Sequence, residues 1–348
     1  MVMSRSIIAT PPGATIKEQL IDRGMSQKEF AARMDMTEKH ISKLVNGEVQ
    51  LTPDVAVRLE MVLGIPAKFW SNLEAIYREK LIKADLENKM DADIQIVRRF
   101  PYSEMAKHGW VPETRNINEK VINLRKYFEV VDLSLLDNTQ ITRIACRRLA
   151  ITEKSDLALI AWAQQIKIKA RETNTAPINI KALIALMPSF KKMTLLKPEE
   201  FCPEMKRLLA DCGVALVFLP HLQGSFLQGA SFMDGNKIVV GLTVRGKDAD
   251  KFWFSFFHEM AHVCLGHVGK DEVTREDEEA ADLWADNVII SSEEFDLFMR
   301  QGDFSRETVR DYASKHNIAP GILVGRMQKE GMIKYNMLND LKQKYVME

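Results

Sequence analysis

The chain has 348 residues, 46% hydrophobic and 28% charged, with a formal net charge of zero. The length favours two or three domains over one core, and the charge balance leaves any case for nucleic acid or a membrane surface to local features. Four cysteines without a C-x-x-C pair, no apolar run of the ~18 residues a membrane helix needs, and no apolar signal-peptide stretch lead us to expect a cytoplasmic protein that spans no membrane.

Residues 15–90 read as closely spaced helices. Ser26, with Glu29 three residues on, forms a capping box for the first of a pair. Thr37 caps the second, and Gly47 stops it. Thr52 and Pro53 open the next helix, which ends at Gly64. A longer helix runs through AKFWSNLEAIYREKLIKADLENKM, its charged second half serving as a connector. The Ser26 and Thr37 helices have the rhythm of a helix-turn-helix, with Ala31, Ile41 and Leu44 placed to pack between them. The second would enter a major groove through its first turns. Glu38, Lys39, His40, Ser42 and Lys43 are then the exposed candidates. Lys39 and Lys43 suit guanine edges or phosphate, and Gln27 and Asn46 suit the DNA backbone. Residues 1–80 carry 11 Lys/Arg against 10 Asp/Glu, so we expect a homodimer on a specific operator rather than binding by bulk charge. A helical bundle for protein contacts has the same pattern.

Residues 95–210 are helical by pattern, broken at Pro101, Pro112, Pro177 and Pro188. GVALVFLP and KIVVGLTV read as strands, and helices follow at about 248–265 and 275–290. The first of these holds FFHEMAHVCLGH. His258 and His262 are four apart and share a helical face, and Glu259 can reach a water at a metal without ligating it. Burying that glutamate among aromatics costs several kcal/mol unless a cation pairs with it. A core helix with internally bonded histidines is the plainer alternative. Leu265 and Val268 stand where a metzincin has glycine and histidine, and His267 is badly placed as a ligand on a continuing helix. The next helix offers Glu278 as third ligand and Asp282 to orient His258, as in glutamate-zincins, with Glu279 the second choice. One zinc per chain is expected. A water there would have its pKa lowered, and Glu259 would take its proton and return it to a leaving amine. His267, His221 and Arg245 are candidates for an oxyanion helper. The strand KIVVGLTV could hold an extended substrate as an edge strand, or serve only as core.

TIKEQLIDRGMSQKEFA, ISKLVNGEVQLTPDVAVRLEMVLGIPAKFW and NLEAIYREKL resemble an XRE-type helix-turn-helix of the HigA-like antidote proteins. GKDADKFWFSFFHEMAHVCLGH and EEAADLWADNVIIS resemble the ImmA/IrrE zinc metallopeptidases. That resemblance implies His258, His262 and Glu278 as zinc ligands and Glu259 as catalytic base. Ala280-Ala281 and Ser291 depart from that family's downstream pattern. The expected fold is α+β and mostly helical. A five-helix helix-turn-helix domain would occupy 1–90 and a helical middle region 91–205. A zincin-like domain with a small β-sheet and the H-E-x-x-H helix would occupy 206–348. The resemblance implies a DNA-binding regulator with a zinc endopeptidase, latent until activated. It would cleave an XRE-type repressor or itself in a stress, phage or toxin–antitoxin response. The other reading is a HigA-like antitoxin and repressor, with a toxin partner and a structural or sensory zinc site.

Overall fold

The computed structural model describes residues 2–3, 7–88, 90–137, 153–223, 228–243, 248–270 and 273–345. The chain forms two compact units, Met1–Gln95 and Ile96–Glu348.

In the first unit, β1 (Val2–Met3) and β2 (Ile8–Ala9) pair antiparallel, with Val2 opposite Ala9. Two-residue strands are too short to show alternation, so no pattern announces them. Five helices follow: α1 (Gly13–Asp22), α2 (Gln27–Arg33), α3 (Glu38–Asn46), α4 (Pro53–Leu63) and α5 (Ala67–Asn88). Ser26, Thr37 and Thr52 cap α2, α3 and α4 by accepting the amides of Glu29, His40 and Val55. Gly47 and Gly64 end α3 and α4 in the left-handed conformation. The Glu29 carboxylate turns to Arg33, 2.7 Å away on the same exposed face, so Ser26 supplies the cap. Ile16, Phe30, Ile41, Leu59 and Trp70 form the fully buried centre. The start of α1 lies against the end of α3, and a Cβ at Gly13 would fall 1.9 Å from the Val45 carbonyl oxygen.

The boundary between the units falls within α6 (Met90–Val97). Then come α7 (Tyr102–Lys107), α8 (Ile117–Phe128), α9 (Glu153–Ala170), α10 (Ile180–Ala185), α11 (Met187–Met193) and α12 (Pro198–Ala210). Pro101 precedes α7 and Pro188 opens α11, as a residue without an N–H should. Strands β3 (Val214–Phe218), β4 (Gly229–Asp234) and β5 (Lys237–Leu242) form a sheet of order β3-β5-β4. β3 runs parallel to β5, and β4 antiparallel to it. Alternation divides β5 between two faces. Ile238, Val240 and Leu242 join a core with Phe252, Trp253 and Phe256. Gly241 points the other way, where a Cβ would sit 2.0 Å from Cδ1 of Ile166 on α9. Because β5 is bonded on both sides, it is a core strand and offers no edge to a substrate; β4 is the edge on that side.

The second half of the unit is α13 (Ala249–Cys264), α14 (Arg275–Ile289), α15 (Ser292–Gln301), α16 (Arg306–Lys315) and α17 (Pro320–Lys329). α13 is apolar on all sides, which suits a helix buried in the middle of a unit. Phe190 and Phe201 from the helices before the sheet share its core with Phe295 and Phe298 after it. The C-terminal tail crosses the start of α13. The Ala249 amide donates to the Gln343 carbonyl at 3.0 Å, and the Trp253 indole donates to the Tyr345 hydroxyl at 2.8 Å.

Candidate metal centre and recognition helix

His258 and His262 project from one face of α13, and α14 brings Glu278 to the same point. The three ligand atoms lie within 4.8 Å of one another. Nε2 of His258 is 2.9 Å from Nε2 of His262; Glu278 Oε2 and Oε1 lie 3.3 and 3.5 Å from those two nitrogens.

The other ring nitrogens decide what these atoms are. His258 Nδ1 donates to Asp282 Oδ1 at 2.7 Å; a carboxylate only accepts, so the proton is on Nδ1 and Nε2 presents a lone pair. His262 is set through a longer chain. Its Nδ1 is 3.1 Å from Nδ1 of His267, whose Nε2 is 3.3 Å from Asp277 Oδ1. The Lys270 ammonium, with the Thr274 amide, holds the Asp277 carboxyl down at about 2. Burial lowers the pKa of His267. Neutral His267 therefore keeps its proton on the Nε2 facing Asp277, and its bare Nδ1 accepts from His262 Nδ1. In that tautomer His262 Nε2 is bare as well; in the other, it donates to His258 Nε2 at 2.9 Å.

Two imidazole nitrogens and a carboxylate thus converge where His258 is 6% and His262 5% exposed. With both Nδ1 atoms carrying the proton, both Nε2 lone pairs face the Glu278 carboxylate, an arrangement that a cation between them would stabilise. For ligands about 2.0–2.1 Å from a tetrahedral centre, neighbouring ligand atoms are roughly 3.3 Å apart. The two nitrogens are 2.9 Å apart and each has a different Glu278 oxygen at 3.3 or 3.5 Å, spacings close to that value. Cys264, two residues beyond His262, does not join the set. Burial pushes its thiol up to about 12, far from the thiolate a metal needs.

Glu259, 2% exposed, lies next to His258 and against the first residue of β4. A Cβ at Gly229 would fall 2.8 Å from Glu259 Cγ and 2.9 Å from its Oε1. The glycine therefore makes the space the carboxylate occupies. An isolated strand glycine is the signal that would have found it.

The remaining sequence candidates fall elsewhere. Glu279 is exposed and held by Arg275 at 2.9 Å, one turn back on the outer face of α14. His221 lies in the loop after β3, and Arg245 lies outside the described residues. His267 touches His262 rather than the point of convergence. Helix α13 stops at Cys264, and left-handed Gly266 turns the chain back to bring His267 there.

In the first unit, Glu38, Lys39, His40, Lys43 and Asn46 are exposed on α3, Ser42 is half-buried, and Gln27 is exposed at the start of α2. Ile41, Leu44 and Val45 anchor α3 to the core. Lys39 and Lys43 stand one turn apart on its outer face.

A helix-turn-helix family profile matches residues 16–70. The uncharacterized HTH-type transcriptional regulator YddM of Escherichia coli (strain K12) is 36% identical over 63 residues, 18% of this chain and 67% of YddM. A solved addiction module antidote protein of the HigA family from Coxiella burnetii is 26% identical. It is matched over 24% of this chain and 92% of its own, with a TM-score of 0.23.

Proposed function

The chain belongs to the helix-turn-helix family of transcriptional regulators through residues 16–70, and from that premise we propose a DNA-binding regulator whose second unit is a zinc-dependent endopeptidase. Its target is a repressor-type protein or the chain itself. Binding to operator DNA would run through Lys39, Lys43 and their exposed neighbours on α3, with pairs of chains on one site. The ImmA/IrrE resemblance of the H-E-x-x-H segment points the same way.

One observation carries the enzymatic reading: the lone-pair cluster of His258, His262 and Glu278 with a buried carboxylate, Glu259, beside it. A purely structural or sensory site has no need of a base at that position. Zinc, when bound, supplies Lewis acidity and lowers the pKa of a water toward about 7. The residues of the chain do the rest. Glu259 accepts the proton of the attacking water and returns it to the departing amine. Asp282 and the His267–Asp277 pair hold each imidazole with its Nε2 turned to the centre. Gly229 leaves Glu259 room to sit beside its neighbour.

Elemental mass spectrometry on the purified chain tests this reading. About one zinc per chain is expected, lost in His258→Ala and Glu278→Ala and kept in Glu259→Gln. Glu259→Gln should also abolish cleavage of the chain's own or neighbouring helix-turn-helix repressors. A wild-type chain that takes up no zinc when zinc is supplied would leave a DNA-binding repressor of antidote type without enzymatic activity.

A further inference from the structure

A cavity of about 570 Å³ lies beside α13. It is within the size range of small-ligand sites. It lies among the first half of α13, the end of α14, α17 and the C-terminal tail. At its floor is Asp250, 8% exposed, whose Oδ2 accepts from Lys342 Nζ at 2.7 Å and whose Oδ1 has no hydrogen-bond partner. Buried polar atoms are nearly always bonded, and a carboxylate oxygen is among the costliest to leave bare. The protein has made room for this one. A Cβ at Gly325 would fall 2.5 Å from Oδ2, so only glycine lets the carboxylate lie against α17.

A second carboxylate faces the same space. Asp286 is reached by Lys329 only at 3.7 Å, and burial raises its pKa. The walls between the two are apolar, from Phe254, Ile289 and Ile322. Several cations around the cavity are engaged by the chain itself. Lys251 pairs with Asp248 at 2.8 Å, and Arg326 is bound by Glu330 and the Ile290 carbonyl. Lys329 lies over the Phe254 ring. Lys344 is exposed. The acceptor that these cations leave open is Asp250 Oδ1.

Two of the cavity's lining residues stand one helical turn from the candidate metal site. Phe254 is one helical turn before His258, their rings 6.3 Å apart, and Asp286 is one turn after Asp282. We propose that this cavity is a recognition site for an aliphatic guanidinium or ammonium group, the side chain of an arginine or lysine near the scissile bond of the polypeptide substrate. The stem lies along Phe254, Ile289 and Ile322, and the cationic head donates to Asp250 Oδ1 and Asp286. The substrate assignment rests on the peptidase reading; the binding of the cation does not.

The test is calorimetric titration of the full chain with agmatine, an aliphatic guanidinium without a carboxylate. Saturable binding of one agmatine per chain is expected, weakened at least tenfold in Asp250→Asn. Asp286→Asn, which leaves the buried Asp250–Lys342 pair intact, should weaken it as well, with a melting temperature like that of wild type. No saturation at millimolar agmatine, or equal affinity in the Asp286→Asn variant, overturns the proposal. So does binding of sulfate in place of agmatine, because it would make the lysines the recognising groups. Zinc content measured on the same samples separates the two ideas. Agmatine binding by a chain that holds no zinc keeps the site and removes the peptidase.

Discussion

Replacing His267 with phenylalanine should weaken zinc binding without touching a ligand. The argument turns on one proton. In the metal-bound state His262 Nε2 must be bare, so Nδ1 carries the proton and needs an acceptor. That acceptor is His267 Nδ1, 3.1 Å away, and with His262 only 5% exposed no bulk water replaces it. Without metal, the same imidazole can move its proton to Nε2 and donate to His258 Nε2, 2.9 Å away. The orphaned donor therefore appears in the zinc-bound state alone. A buried unsatisfied donor costs about 1–3 kcal/mol, which is roughly a 10–100-fold loss of affinity, the usual range for an outer partner of a metal ligand. His267→Asn keeps a carbonyl acceptor and should recover much of the loss. The assay is competition for zinc against a chromophoric chelator, with His258→Ala as the variant that loses the site. If His267→Phe holds zinc as tightly as wild type while His258→Ala does not, the hydrogen-bond chain through His267 plays no part and the reasoning fails.

Other outcomes follow from the same structure. Glu259→Gln should retain zinc and lose about 10²–10⁴-fold in turnover, the usual worth of a general base; full activity in that variant would falsify its role. Gly229→Ala places a methyl group 2.8 Å from Glu259 Cγ, so cleavage should fall while zinc content stays at wild type. Loss of zinc instead would mean that the strand shifted rather than the carboxylate. Lys39→Ala and Lys43→Ala should each weaken DNA binding and lower the salt-dependence slope by about 1 if the lysine meets phosphate. Fluorescence anisotropy on DNA from the gene's own upstream region, repeated over a salt series, reads this directly. An unchanged slope in the double variant would move the interface off α3. Gly13→Ala brings a Cβ to 1.9 Å from the Val45 carbonyl, and overpacking of that kind costs about 1–3 kcal/mol. It should appear as a lower urea midpoint for the first unit, and a wild-type midpoint would show that α1 can move away.

How much of this was legible in the sequence depends on how far apart the partners are. The faces within one helix could be read. His258 with His262, Glu278 with Asp282, and the buried Ile41 and Leu44 of α3 all follow from the 3.6-residue repeat. The caps at Ser26, Thr37 and Thr52 are equally local. Strand β4 could not be read, because Gly229–Asp234 is neither an apolar run nor a regular alternation. Its place at the sheet edge beside Glu259 is set by its pairing with β5. His267 was judged by its angle on a helix that ends three residues before it; the left-handed turn at Gly266 converts a badly placed ligand into the partner of His262.

The same distinction separates the two layers of the site. The atoms that converge are supplied by two neighbouring helices and announce themselves by spacing. The groups that bound the space beside them come from farther off. Asp250 meets Lys342 across 92 residues of chain, and Gly229 arrives from β4, ahead of α13 in the chain. Motif spacing therefore brings His258, His262 and Glu278 to one point. The shape of the space beside them is set by tertiary contacts between segments that no local pattern joins.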